Sequence, residues 1–157
     1  MAFVPSSMTL TSTAFEAGGD IPKKHTGEGE NVSPALSWTK APKEAKSFAI
    51  ICHDPDAPLI KEGQYGYVHW VLYNLPASTT SLEEGSEAGT AGINDAGGKG
   101  YTGPMPPEGH GLHHYFFSLL ALDQATELEA GLTLWEFLEK AEPHIIAMNR
   151  LVGTYRR

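Results

Sequence analysis

Apolar positions along this chain fall in short dense runs. The clearest, Ser47 to His53 (SFAIICH), is nearly unbroken and too short for a solitary helix. It predicts a central strand buried on both faces. Tyr67 to Leu75 (YVHWVLYNL), rich in β-branched and aromatic residues, predicts a second, and His113 to Leu122 (HHYFFSLLAL) a third. Weaker strand candidates are Met8 to Ser12, Ser37 to Thr39 and a piece near Gly89 to Ile93. Glycines and prolines scattered between the runs suit many short strands joined by turns.

Near the C-terminal end the pattern changes period. Thr133-Leu134-Trp135-Glu136 reads as a capping box, in which the Thr hydroxyl and the Glu carboxylate satisfy each other's orphan amides. Leu134, Phe137, Leu138 and Ala141 follow at helical spacing. Pro143 is costly inside a helix, so it is expected to head a second one at its first position. Ile145, Ile146 and Met148 would form that helix's apolar face, and Gly153 would stop it or begin a last extended segment. The expectation is a mainly β fold, a β-sandwich carrying two short C-terminal helices. No repeat or linker divides residues 1–157, so a single domain is expected.

Composition narrows the function. A net charge of −8 lacks the basic footprint that nucleic acid or an anionic lipid surface requires. Any anion site must be a local pocket working against the global field. The single cysteine, Cys52, excludes an internal disulfide and fits a reducing compartment. The opening stretch MAFVPSSMTLTSTAF has no basic region followed by an apolar one, and no apolar run reaches membrane-spanning length. A soluble, cytoplasmic protein is expected, and the sequon Asn31-Val32-Ser33 is read as an accident.

Polar chemistry concentrates at three places in apolar settings. His53-Asp54-Pro55-Asp56-Ala57-Pro58 ends the first strong strand; its prolines stiffen the backbone where the aspartates emerge, although the same pattern serves a strand-ending turn. His69 lies in the second strand, where strict alternation puts Tyr67, His69, Val71 and Tyr73 on one face. A histidine there serves either a pocket or a bond to a core carbonyl. The third place, Gly103 to Tyr115, reads Gly-x-x-Pro-Pro-x-Gly-x-Gly-x-His-x-Tyr. Prolines hold this loop open and glycines allow backbone N–H groups to approach a ligand. His113 and Tyr115 then point one way along the strand, His114 the other, and His110 is expected in the exposed loop. One aspartate and two histidines on neighbouring strands suit a two-histidine, one-carboxylate metal site, or an anion pocket with ring N–H donors. Spacing alone leaves both open.

In full, these motifs resemble the phosphatidylethanolamine-binding protein family, also called the Raf kinase inhibitor protein family, in its compact bacterial and archaeal branch. Asp54 to Pro58 matches its DPDAP signature, His69 to Asn74 its HWVLYN strand, and Gly103 to Tyr115 its GxxPPxGxGxHxY signature. Further matches are Ile21-Pro22, the run from Gly29 through Asn31, Ser33, Pro34 and Leu36 to Trp38, Asn94-Asp95, and Leu151 to Tyr155. The resemblance implies a two-sheet antiparallel sandwich with a small anion pocket at one end, for phosphate, phosphoethanolamine headgroups or other oxyanions. The matching positions are Asp54, Pro58, Tyr67, His69, Gly103, Pro107, His113 and Tyr115. Three features depart from the pattern. His114 stands where members usually have Arg, so an ion pair is expected to be missing. Gly27 and Met105 stand where bacterial members often have Cys, which leaves no thiol beside the loop. Leu59 to Gln64 (LIKEGQ) is longer and more apolar than the pattern, as a flap over the pocket or simply a longer turn. The C-terminal extension of eukaryotic members is missing, which is expected to leave one side of the pocket more open.

The expected function is binding of a small phosphorylated or carboxylated ligand, such as a phospholipid headgroup, without cofactor or metal, and compatible with a regulatory role such as kinase or protease inhibition. No serine or cysteine in the matched motifs offers a nucleophile, so no enzyme is expected. The alternative is a metal-dependent or general-base hydrolase of a small phosphoester using Asp54, His69 and His113. A regulator that presses this end of the sandwich against a partner protein is a third reading, and a homodimer is expected from the resemblance.

Overall fold

The computed structural model describes residues 6–61 and 63–157. Residues 1–5, at the start of the stretch read for a leader, and Glu62, within the Leu59–Gln64 segment, lie outside them. The strands in chain order are β1 (Thr9–Thr11), β2 (Leu36–Thr39), β3 (Ser47–Asp54), β4 (Ile60–Lys61), β5 (Gln64–Tyr65), β6 (Tyr67–Pro76), β7 (Ser81–Leu82), β8 (Thr90–Ala91), β9 (His113–Leu122) and β10 (Ile145–Tyr155). One helix, α1 (Leu134–Ala141), precedes β10.

The three strong apolar runs become the middle of the principal sheet, ordered β10-β9-β3-β6-β8 and antiparallel throughout. β3 is hydrogen-bonded on both edges and covered on both faces, which is why its sequence shows no polar alternation. One face packs against the small sheet β1-β2-β7 through Leu36, Ile50, Leu75, Phe117 and Leu119. The other is covered by α1, whose Phe137 ring stacks on Tyr73 at 5.2 Å between centroids. The weaker strand candidates form β1 and β8 at reduced length, and β2, which begins one residue earlier than expected, at Leu36. The sandwich of two antiparallel sheets is as expected.

The capping box is present: Thr133 Oγ1 accepts from Glu136 N at 3.2 Å, and Glu136 Oε2 accepts from Thr133 N at 2.9 Å. The second helix is corrected. Pro143 opens only a three-residue 3-10 turn, Glu142–His144, and Ile145, Ile146 and Met148 continue as β10. A bulge between Ile145 and Ala147 places neighbouring apolar residues out of strict alternation, so their spacing imitates a helical face. The strand itself is held by pairing with β9 down to Tyr155↔His113. Gly153 lies within it, paired with Tyr115, and is a glycine for packing rather than as a stop, since a Cβ there would sit 2.6 Å from Ile21 Cγ1. Among the described residues no helix is long and apolar enough to cross a membrane.

Candidate functional site

At the end of β3 the chain turns out of the sheet with Asp54 still 3% exposed. Asp54 Oδ1 accepts from Asp56 N at 2.8 Å, which fixes the turn, and Oδ2 accepts from His113 Nδ1 at 2.7 Å. An ionised carboxylate only accepts, so His113 carries a proton on Nδ1 and its other nitrogen, Nε2, is set apart from Asp54. The motif therefore acts as a turn and as a site at once.

His69 reaches the same place by a break in alternation. Cys52 pairs with Trp70 and His53 with Val68, so His69 is an extra residue bulged out of β6. Val71 and Tyr73 pack on the α1 side of the sheet, whereas His69 meets the ring of Tyr115, which belongs to the opposite core. The single face expected for Tyr67, His69, Val71 and Tyr73 is thus corrected by the bulge. The His69 ring lies 4.7 Å from Tyr67 and 5.1 Å from Tyr115, edge-on to the latter. Its Nδ1 donates to Thr102 O at 2.7 Å, since a carbonyl only accepts. Burial drives the His69 pKa below its ordinary value, against the opposing pull of the Thr102 carbonyl and of Asp54 and Asp95. The uncharged ring therefore keeps Nε2 as an open acceptor. Burial, then Asp54, pushes the Tyr115 hydroxyl far above its usual range, so it stays a donor. Burial, then Asp95, raises Tyr67 as well.

These side chains surround a cavity of about 430 Å³ at one end of the sandwich. Asp54, Tyr67, His69, Gly103, Pro107, His113 and Tyr115, read from sequence, all line it. Pro58 does not; Ala57 takes that place while Pro58 is exposed. Gly103 has a different role from the one its motif suggests. Its N–H donates to Asn31 Oδ1 at 2.7 Å, and a Cβ on it would stand 2.1 Å from His25 O. Close packing of the loop on the His25–Asn31 segment, rather than approach to a ligand, requires this glycine.

His114 faces away from His113, as expected, but is not without a partner. Asp56 Oδ2 accepts from its backbone N at 2.7 Å and pairs with its Nδ1 at 2.8 Å. Burial works to raise the Asp56 pKa, but the side-chain and backbone bonds from His114 outweigh it and hold the carboxyl low. His110 is in the exposed loop, yet its Nδ1 comes within 2.7 Å of His113 Nε2. Sequence reasoning assigned it no role; its place between two flexible glycines was the one available signal. The segment after Ala57 pairs β4 with β5 as a hairpin, and none of its described residues lines the cavity. Lys61 Nζ lies 3.9 Å from Asp95 Oδ1, and Gly63 lies beside the Trp135 ring of α1. Gly27 and Met105 are neighbours: a Cβ on the glycine would be 2.9 Å from Met105 Sδ. Among the described residues no three histidine, cysteine or carboxylate side chains group as metal ligands.

The family model for phosphatidylethanolamine-binding protein matches residues 11–156. The chain belongs to that family. It is 44% identical to a UPF0098 protein of Methanothermobacter thermautotrophicus over 157 residues, covering 96% of this chain and 99% of that one. A crystal structure described as a homologue of phosphatidylethanolamine-binding protein from Chlamydia trachomatis superposes with a TM-score of 0.87 at 41% identity, covering 96% and 97% of the two chains. E. coli YbcL, described as a new member of the mammalian PEBP family, gives 0.88 at 29% identity over 97% and 99%. Such relatives, prokaryotic and similar in length, place this family member in the bacterial and archaeal branch.

Proposed function

We propose that this family member binds the anionic group of a small phosphorylated or carboxylated ligand in the cavity between β3, β6 and β9. One observation carries the reading: both buried histidines donate from Nδ1 to protein oxygens, so Nε2 is in each the nitrogen through which a ligand is met, that of His113 being shared with His110 Nδ1. Each ring gains a charged donor at Nε2 on protonation, and a charged donor holds an oxyanion more strongly than a neutral one. The Tyr115 hydroxyl, which makes no hydrogen bond within the described residues, adds a neutral donor. Pro106 and Pro107 give the opposite wall its stiffness.

No serine or cysteine lines the described cavity, and the Cys52 thiol is buried, with a pKa driven up by burial and then by Asp54. Binding without turnover is therefore the better reading of these residues. The proton balance supplies the test. His69 sits below the ordinary histidine value of about 6.5 in the free protein, and a bound anion raises it. Affinity is then full below the free-state pKa and falls as pH rises from there to the bound-state pKa. Sulfate is the suitable probe, because its own charge stays constant across this range. Calorimetry is expected to show sulfate binding at least about tenfold tighter at pH 5.5 than at pH 8. Equal affinity at the two pH values overturns the charged-histidine mechanism, and turnover of a phosphoester overturns simple binding.

A further inference from the structure

His113 has two nitrogens, and both are engaged. Nδ1 donates to Asp54 Oδ2, so Nε2 is the one atom through which this ring can donate to a ligand. His110 Nδ1 sits 2.7 Å from it. Two ring nitrogens at that distance share a single proton. Either His110 donates to an uncharged His113, or a cationic His113 donates to His110. In neither arrangement does His113 have a donor left for an anion.

The mounting of His110 suits removal. The residue is exposed, and its imidazole makes no hydrogen bond or ring contact with any described residue except His113. It is flanked by Gly109 at φ 72° and Gly111 at φ 96°, left-handed conformations that glycine adopts freely. Nothing lies within 4 Å of where a Cβ would be at either glycine. The stem just before them is pinned instead. Gly109 N donates to Arg157 O at 3.2 Å, and the Arg157 guanidinium reaches Pro106 O at 3.1 Å and Glu108 at 3.6 Å. His110 N itself donates to Pro107 O at 3.1 Å, so the backbone up to His110 is anchored and the unpacked ring is free to leave by rotation of its own side chain.

We propose that His110 sets the affinity of the site by competing with the ligand anion for His113 Nε2, and that its ring turns away from His113 when both buried histidines hold the anion. The inference rests on the anion-binding reading. It adds selectivity, because a ligand must be a better acceptor than an imidazole nitrogen. A charged oxyanion meets that requirement through a charge-assisted bond about twice as strong as a neutral one, whereas a neutral carbonyl does not.

The test is calorimetry with inorganic sulfate at a single acidic pH on the wild-type protein, His110→Ala and His69→Leu. His110→Ala is expected to bind about two- to tenfold more tightly, the span of one net hydrogen bond. Equal or weaker binding by His110→Ala, with His69→Leu still impaired, overturns the competition and leaves the anion site standing. Absence of sulfate binding in both wild type and His110→Ala overturns the anion site and the competition together. In the wild-type protein, the His110 ring resonances are also expected to shift as sulfate saturates the site. Resonances that stay fixed at saturation contradict displacement.

Discussion

Gly103→Ala tests how the pocket wall is held. A Cβ there would lie 2.1 Å from His25 O, 2.8 Å from Asn31 Oδ1 and 2.8 Å from Thr26 Cα. All but Asn31 Oδ1 are backbone atoms that cannot rotate aside, so loop and segment must separate by roughly 1 Å to reach ordinary contact distance. Two hydrogen bonds cross that seam: Gly103 N to Asn31 Oδ1 at 2.7 Å and Tyr101 Oη to His25 O at 2.6 Å. Overpacking contributes about 1–3 kcal/mol and the weakened bonds about 1 kcal/mol each. The total, about 3–5 kcal/mol, is a large part of a typical folding stability of about 5–15 kcal/mol. For a chain of this size it lowers Tm by about 6–20 °C. Gly27→Ala in the same region is the control, because its Cβ meets only the flexible Met105 side chain, which is 50% exposed and can turn away. Thermal and urea unfolding followed by circular dichroism measures both. Gly103→Ala within about 0.5 kcal/mol of wild type, or no more destabilised than Gly27→Ala, refutes the packing argument.

Further outcomes follow from the same geometry. His69→Leu keeps an apolar side chain between Tyr67 and Tyr115 but removes the Nε2 donor and orphans Thr102 O; sulfate affinity measured by calorimetry is expected to drop about tenfold or more. Asp56→Asn weakens an exposed pair and is expected to cost less than about 1 kcal/mol in urea unfolding. Because the Asp56 carboxyl is held low, its contribution is present above the unfolded carboxylate value and disappears as pH falls through the folded one, so wild type and variant should converge in acid. Tyr73→Phe removes the hydroxyl that donates to Glu129 O at 2.6 Å and accepts from Leu132 N at 3.3 Å, with an expected loss of about 1–3 kcal/mol in the same assay.

Much of the fold was legible because its central strands are buried on both faces, and burial writes itself into sequence as unbroken apolar runs. β10 was misread for the opposite reason. Its bulge at Ile145–Ala147 disturbs the alternation, and its identity as a strand comes from pairing with distant β9. The site was legible as a set of residues through its ordered motifs, but how they converge was not. Alternation puts His69 on the wrong face, and only the pairing of Cys52 with Trp70 and His53 with Val68 reveals the bulge that turns it toward Tyr115. The loop glycines looked alike in sequence. Gly103 is fixed by the His25 carbonyl, whereas Gly109 and Gly111 stand in open space, and that difference depends on a segment some seventy positions upstream. The partnership of His110 with His113 was hidden similarly, since an exposed loop histidine carries no apolar context to mark it.

The central claim is that one oxyanion is held by both buried histidines. A crystal structure of the protein grown with saturating sulfate at acidic pH tests it most directly. The expected density is a tetrahedral anion in the cavity, with oxygens about 2.6–3.2 Å from His69 Nε2, His113 Nε2 and the Tyr115 hydroxyl. A cavity without the anion at saturation, or a metal ion bridging His69 and His113, contradicts it.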